Sequence, residues 1–138
     1  MINEKSLKIY TDGGARGNPG PAAIGIYILG ENDKEILRFG KRIGSTTNNV
    51  AEYTAVITAL EWLVENADLK NLKQINFFLD SSLVVNQLNG KFKIKEIHLR
   101  ELVITVKNLE KTLNCKIMYV HIIREKNYVA DSMVNSCF

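Results

Sequence analysis

The pattern of apolar and polar residues predicts three β-strands within the first fifty residues. Residues 7–12 alternate between apolar and polar side chains, and a period of two turns one side of a strand toward a core. Residues 22–29 and 35–43 resemble two further strands. The glycine-rich stretch 13–21 predicts a turn between the first two strands. The polar residues 31–34 predict a second short turn, so we expect an antiparallel meander of three strands.

Beyond residue 45 the pattern takes the period of a helix and returns twice to short apolar strands. The polar residues 46–49 predict a helix start, and the helical period continues to about residue 66. The order βββαβααβα predicts an α/β fold in which the later strands run parallel to the first and are buried on both faces. Further strands are predicted at 73–80 and 115–123, and further helices at 81–88, 96–113 and 127–136.

Length and composition are those of one ordinary globular domain. The chain has 138 residues, of which 46% are hydrophobic and 24% charged, and this suits a single core. No apolar run approaches the roughly 18 residues of a membrane helix, and the first residues lack the apolar region of a secretion signal. Cys115 and Cys137 match no metal-binding spacing. We therefore expect reduced thiols, a cytoplasmic location, no membrane contact, no obligate protein partner and a monomer.

Four acids occupy positions that suit a shared site. Asp12 ends the first predicted strand, and Asp80 ends the apolar strand that should lie parallel to it. Functional crevices of such sheets lie beyond the carboxyl ends of the parallel strands. Helices packed on the sheet can bring Glu52 and Asp131 to the same point. Four neighbouring carboxylates repel one another unless cations join them, and oxygen ligands alone favour Mg²⁺ or Mn²⁺ over zinc.

Each acid also has an ordinary structural explanation when it is taken alone. Asp12 can favour a turn, and Asp131 can be a solvated surface acid. Glu52 follows Asn49 at the spacing of a capping box, in which its carboxylate bonds back to the helix start. Asp80 can cap the helix that follows it. Composition and spacing alone therefore support no more than a possible carboxylate site.

Four local strings resemble the active-site segments of a known enzyme family. In order along the chain they are YTDGGARGNPGP, TTNNVAEY, FLDSSLVVNQL and REKNYVAD, and they resemble those of type I ribonuclease H. The resemblance extends over about residues 7–134. It implies that Asp12, Glu52, Asp80 and Asp131 are catalytic acids that bind metal. It also implies a ribonuclease H-like fold: one domain over residues 1–138, with a five-stranded mixed sheet in the order 3-2-1-4-5 between helices.

The resemblance implies an activity as well as a fold. Members of this family cut the RNA strand of an RNA–DNA hybrid, so the expected partner is the hybrid duplex. Two Mg²⁺ ions, which Mn²⁺ can replace, would clamp the scissile phosphate, one activating water and the other stabilising the leaving oxygen. The expected products carry a 5′-phosphate and a 3′-hydroxyl.

Four residues near the first and second motifs are implied to contact the substrate. They are Gly13, Asn18, Thr47 and Asn48. Asparagine carries both a donor and an acceptor, so it can bridge base edges and 2′-hydroxyls in a shallow minor groove. Thr47 and the backbone amides near a helix start can hold a phosphate. Plain helix capping by Thr47 and Asn48 is the other explanation.

Three lysines alternate with apolar residues in the string GKFKIK. If this segment is extended, Lys91, Lys93 and Lys95 point to one side and can follow a phosphate backbone; the other explanation is an ordinary solvated surface. Setting aside the four acids raises the formal net charge from +3 to +7. A basic body around an acidic centre suits a nucleic-acid partner.

The chain departs from many type I members in several respects. It has only GKFKIK where they carry a basic insertion with tryptophan, and its one tryptophan, Trp62, instead lies within the first long helix. We also expect no additional N-terminal hybrid-binding domain. We therefore expect weaker, more salt-sensitive hybrid binding. His121 falls within a predicted strand, so we expect it to be structural and Arg124 to take the part of the family's loop histidine. The short last helix puts the rigidity of Asp131 in doubt.

Two other functions compete with an active hybrid nuclease. One is a hybrid-binding module of the same fold with little catalysis, which the complete set of four acids opposes. The other is an exonuclease or junction resolvase of the wider superfamily, which the TDGG and TTNN strings oppose.

Overall fold

The computed structural model describes residues 1–138 and contains one five-stranded sheet with four helices. The strand order is 3-2-1-4-5. The first three strands pair antiparallel, whereas the fourth and fifth run parallel to the first. These features confirm the predicted fold. The strands are β1 (Ser6–Ala15), β2 (Gly20–Leu29), β3 (Glu35–Thr46), β4 (Gln74–Leu79) and β5 (Lys116–His121), and the helices are α1 (Asn48–Asn66), α2 (Ser82–Leu88), α3 (Ile97–Leu113) and α4 (Tyr128–Asn135).

The main core lies between one face of the sheet and helix α1, which packs against α3. A cluster of 23 buried apolar side chains forms this core, and most of them come from β1, β2, β4 and these two helices. Helix α4 packs against β1, β2 and β3. Asp12 and Gly25 are paired across β1 and β2, and α4 approaches the sheet at Gly25. The sheet thereby holds α1 and α4 on opposite faces near the end of β1.

The expectation that the later strands are buried on both faces is wrong. In β4 buried and half-buried side chains alternate, and in β5 only Tyr119 is buried. Met118 and Val120 of β5 are exposed. The physical reason is the position of α4, which packs on the antiparallel half of the sheet, whereas β5 is an edge strand.

The predicted glycine-rich turn is shorter than expected, because two of its glycines belong to β1. Gly13 and Gly14 pair with Ile24 and Ala23 of β2. A Cβ atom on Gly13 would lie 2.3 Å from the carbonyl carbon of Ala51 in α1. Glycine is therefore required here for the close approach of α1 to β1, and the turn itself lies between Ala15 and Gly20.

No helix of the structure is both long enough and apolar enough to cross a membrane. The two cysteines, Cys115 and Cys137, are free and half-buried. Trp62 of α1 is partly buried and packs against the main core.

Candidate active site

The ends of two adjacent parallel strands bring Asp12 and Asp80 together. Asp12 lies in β1, and Asp80 directly follows β4. Glu52 reaches the same point from the first turns of α1. One carboxylate oxygen from each of these three residues lies within 4.8 Å of the others. We call Asp12, Glu52 and Asp80 the acid cluster.

Glu52 is held in the acid cluster by the backbone of β1. Its Oε1 accepts a hydrogen bond from the amide of Gly13 at 2.8 Å, while its buried Oε2 has no hydrogen-bond partner. Helix α1 is capped instead by Thr47, whose Oγ1 accepts from the amide of Val50. The capping-box explanation of Glu52 is therefore wrong, since its carboxylate bonds to a strand and not to its own helix start.

The ordinary explanations of Asp12 and Asp80 also fail. Asp12 lies within β1 and pairs with Gly25, so it does not form a turn. The cap of α2 is Ser81, whose Oγ accepts from the amide of Val84 at 3.3 Å. Asp80 therefore does not cap α2, and it lies half-buried beside Asp12 and Glu52.

Burial and mutual repulsion disfavour the fully ionised state of the acid cluster. Burial raises the pKa of Asp12 to about 7, and the negative charges of Asp80 and Asp131 add to this rise. Burial, followed by the charge of Asp12, raises the pKa of Glu52 well above its usual range. Such shifts are expected where buried carboxylates share a site, because each negative charge disfavours ionisation of its neighbours.

Asp131 lines the same cleft but stands at the edge of the acid cluster. Its Oδ1 accepts from a guanidinium nitrogen of Arg124 at 3.4 Å, and its Oδ2 accepts from the side-chain Nδ2 of Asn135 at 3.4 Å. The Asp131 side chain is 27% exposed and that of Arg124 is 74% exposed. The surface-acid explanation of Asp131 is thus incomplete, because this carboxylate is partly buried, paired and directed into the cleft.

Helix α4 is anchored closely to the sheet in spite of its eight residues. A Cβ atom on Gly25 would lie 2.1 Å from the carbonyl oxygen of Ala130, so the glycine allows the helix backbone to touch β2. Ala130 and Val134 of α4 are buried. The helix that carries Asp131 is therefore packed closely against β2.

The comparisons with known proteins agree with this geometry. Residues 10–137 match the family model described as "Reverse transcriptase-like". The structure of LC11-RNase H1, isolated from compost by a metagenomic approach, superposes with a TM-score of 0.88 and 42% sequence identity, covering 99% of this chain and 96% of that chain. The chain belongs to the type I ribonuclease H family.

Other members of this ribonuclease H family are similar over most of the chain. Ribonuclease HI of Halobacterium salinarum is 36% identical over 126 residues, which are 91% of this chain and 61% of that protein. Bifunctional protein Rv2228c of Mycobacterium tuberculosis is 35% identical over 128 residues, or 92% of this chain. The chain spans only 34% of the length of this mycobacterial relative. LC11-RNase H1 has also been crystallised in complex with an RNA/DNA hybrid, and that structure matches with a TM-score of 0.89 and 42% identity over 95% of each chain.

The predicted substrate contacts of ribonuclease H surround the start of α1. Asn18 Oδ1 accepts from the amide of Asn48 at 2.9 Å, and Asn48 Oδ1 accepts from the amide of Ala15 at 2.9 Å. These bonds tie the β1–β2 turn to the helix start, next to the capping residue Thr47. Asn48 and Gly13 line the cleft. The capping explanation applies to Thr47, whereas Asn48 joins two segments.

The three predicted lysines do not reach the cleft. Lys91, Lys93 and Lys95 are exposed in residues 89–96, which connect α2 with α3 without regular structure. We call this segment the lysine loop. It contains no β-strand, and the three lysines are not among the residues that line the cleft. His121, the last residue of β5, is exposed and does not line the cleft either.

Two residues near the cleft were missed from the sequence. Asn127 is buried and donates to Asp80; only its spacing of four from Asp131 could have drawn attention to it. Arg16 lines the cleft, and its guanidinium lies 4.4 Å from the centre of the Phe138 ring. A basic residue in the glycine-rich string was a visible signal for Arg16, but its stacking on Phe138 depends on the packing of α4.

Proposed function

We propose that this chain is an endoribonuclease that hydrolyses the RNA strand of RNA–DNA hybrids with the assistance of two Mg²⁺ ions. The observation that carries the proposal is the acid cluster, in which three carboxylates lie within 4.8 Å of one another. Membership of the ribonuclease H family supports the same activity, as does the hybrid complex of a relative. We infer one ribonuclease H domain over residues 1–138 that acts as a monomer.

The residues present fit a divalent cation. The buried Oε2 of Glu52 has no partner, and a buried carboxylate oxygen without one is a costly arrangement unless a ligand joins it. All the donors are oxygens, which suit Mg²⁺ and also Mn²⁺. Asp12, Glu52, Asp80 and Asp131 would hold the ions. When bound, the ions supply Lewis-acid stabilisation of phosphate charge and lower the pKa of water.

The protein's own groups set the position of the reacting phosphate. The amide of Gly13 holds Glu52, so this carboxylate keeps one oxygen directed to the acid cluster. Arg124 keeps its positive charge at any working pH and, although paired with Asp131, is largely exposed to the cleft. A guanidinium in this position can bind the scissile phosphate and offset charge that grows in the transition state.

We propose that the start of α1 and the β1–β2 turn hold the hybrid. Gly13, Asn18, Thr47 and Asn48 lie together there, and the helix start presents backbone amides to a phosphate. The amide side chains can distinguish an RNA strand by its 2′-hydroxyls. Lys91, Lys93 and Lys95 would add a weaker attraction for the phosphate backbone from the lysine loop.

The proposed products can be tested directly. A hybrid whose RNA carries a 3′ label is incubated with the chain in EDTA, in Mg²⁺ and in Mn²⁺, and the labelled fragments are compared with and without phosphatase treatment. We expect internal cuts only with metal and downstream fragments that bear a removable 5′-phosphate. Binding of the hybrid without any cutting would instead support a binding module, and stepwise removal of end nucleotides would support an exonuclease.

A further inference from the structure

The side chain of Asn127 contacts two of the segments that carry the site acids. Its Nδ2 donates one hydrogen bond to the carbonyl oxygen of Thr11 at 2.9 Å and another to Oδ2 of Asp80 at 3.4 Å. Thr11 directly precedes Asp12 in β1. Asn127 itself precedes α4, in which Asp131 follows four residues later. One amide therefore joins the segments that carry three of the four acids.

The burial of Asn127 indicates what its side chain is used for. The residue is 1% exposed, and its Oδ1 has no hydrogen-bond partner. Rotating the amide would turn Oδ1 toward two acceptors, the Thr11 carbonyl and the Asp80 carboxylate, so the donors must face them. A buried amide with an unpaired oxygen is less stable than a fully paired one. We therefore attribute the presence of this buried amide to the two hydrogen bonds that it donates, to Thr11 and to Asp80.

We propose that Asn127 is a positioning residue that orients the Asp80 carboxylate for binding a divalent cation, an inference that rests on the proposed function. The bond to Oδ2 restricts rotation of the carboxylate and leaves Oδ1 for the cation. Through the Thr11 carbonyl the same amide holds the end of β1 beside Asp80. Removing a partner that orients a metal ligand typically weakens metal binding by about 10- to 100-fold.

The test measures Mg²⁺ binding without substrate. Isothermal titration calorimetry of the full chain is compared for the wild type, Asn127→Ala and Asp80→Asn. We expect Asn127→Ala to raise the Kd for Mg²⁺ by about 10- to 100-fold, and Asp80→Asn to raise it further. The matched control is Tyr119→Phe, which removes the 2.6 Å hydrogen bond that Tyr119 of β5 donates to Glu110 of α3. This control should leave the Kd unchanged even if it lowers the melting temperature.

The outcomes separate this inference from the proposed function. An unchanged Kd in Asn127→Ala, with binding lost in Asp80→Asn, overturns the role of Asn127 alone. A wild-type chain that binds no Mg²⁺, or an Asp80→Asn variant that binds it equally well, contradicts the proposed function instead. If Asn127→Ala does not fold, an NMR measurement on the wild-type chain still tests the role of Asn127. Its Asn127 side-chain amide signals in NMR should shift with the same Mg²⁺ half-saturation as the calorimetry, and their failure to move overturns the inference.

Discussion

The acid cluster and the lysine loop are two charged regions of similar prominence in the sequence, but they differ in burial and in regular structure. Asp12 and Glu52 are 7% and 6% exposed, and a backbone amide holds Glu52 in place. The lysines of the loop are exposed, and the loop has no regular structure. The difference shows that a charged residue is strong evidence for a specific role where the fold buries it, because burying a charge is energetically costly. A solvated charge costs little, so its presence argues weakly for a specific role.

The largest effect is expected in the acid cluster. Asp12→Asn or Asp80→Asn should reduce cleavage of a hybrid to less than about a tenth of the wild-type rate, a barrier change above about 1.4 kcal/mol, because a neutral amide holds a dication more weakly. The measurement is kcat at saturating Mg²⁺. The matched control is Asp33→Asn, an acid whose side chain is 66% exposed and paired with Lys8, which should keep full activity. Retention of more than a tenth of the rate by either variant would refute the assignment.

The next effect concerns the rim of the cleft. Arg124→Ala should lower kcat by roughly 10- to 1000-fold, or about 1.4–4 kcal/mol, because its charge no longer offsets that of the reacting phosphate. His121→Ala should change kcat little, since His121 is exposed outside the cleft. Arg38→Ala, which removes an exposed arginine paired with Glu35, serves as the control. A folded His121→Ala protein with the larger loss of kcat would reverse the two roles.

The acid cluster should also make the stability of the metal-free chain depend on pH. Because the pKa of Asp12 rises from 3.8 to about 7 on folding, the folded chain binds more protons between these values. Its stability should therefore fall as the pH rises from about 4 to about 7, and it should stay low above that range. Asp12→Asn removes this penalty.

The measurement is the melting temperature in EDTA at pH 5 and pH 8. We expect Asp12→Asn to melt about 4 °C or more above the wild type at pH 8, as roughly 1 kcal/mol would produce in a domain of this size, and the gain should shrink at pH 5. Asp33→Asn should show no such dependence. A gain that is equal at both pH values would count against the burial of an ionised Asp12.

The smallest effect is expected in the lysine loop. Replacing Lys91, Lys93 and Lys95 with alanine should weaken hybrid binding and flatten its salt dependence by up to about 0.9 in logarithmic slope for each lost phosphate contact. The control replaces three other exposed lysines, Lys34, Lys70 and Lys111. If both triple variants have the same slope as the wild type, the lysine loop is an ordinary solvated surface.

The features best predicted from the sequence are those that follow from the order and direction of the strands. Asp12 and Asp80 could be paired in advance because residues at the carboxyl ends of adjacent parallel strands must meet. The three-strand meander followed from short connections, and α1 followed from its polar start and its period. The exposure of β5 could not be predicted, since it depends on where α4 packs and not on the composition of the strand.

The details of the site could not be predicted because they depend on long-range contacts. The partner of Glu52 is the amide of Gly13, and it becomes available only when α1 touches β1 at Ala51. Asn127 donates to Thr11, 116 residues away, and a polar residue before a helix looks like an ordinary cap. Local patterns hold no information about such pairs, so these contacts required the structure.

The most direct test of the proposed activity is the choice of strand. A hybrid is labelled in turn on its RNA strand and on its DNA strand, and duplex DNA of the same sequence is labelled as a reference, each with and without Mg²⁺. We expect internal cleavage of the RNA strand with Mg²⁺, an intact DNA strand and intact duplex DNA, because recognition requires 2′-hydroxyls on one strand only. Cleavage of the DNA strand, or of duplex DNA at a comparable rate, would contradict the account.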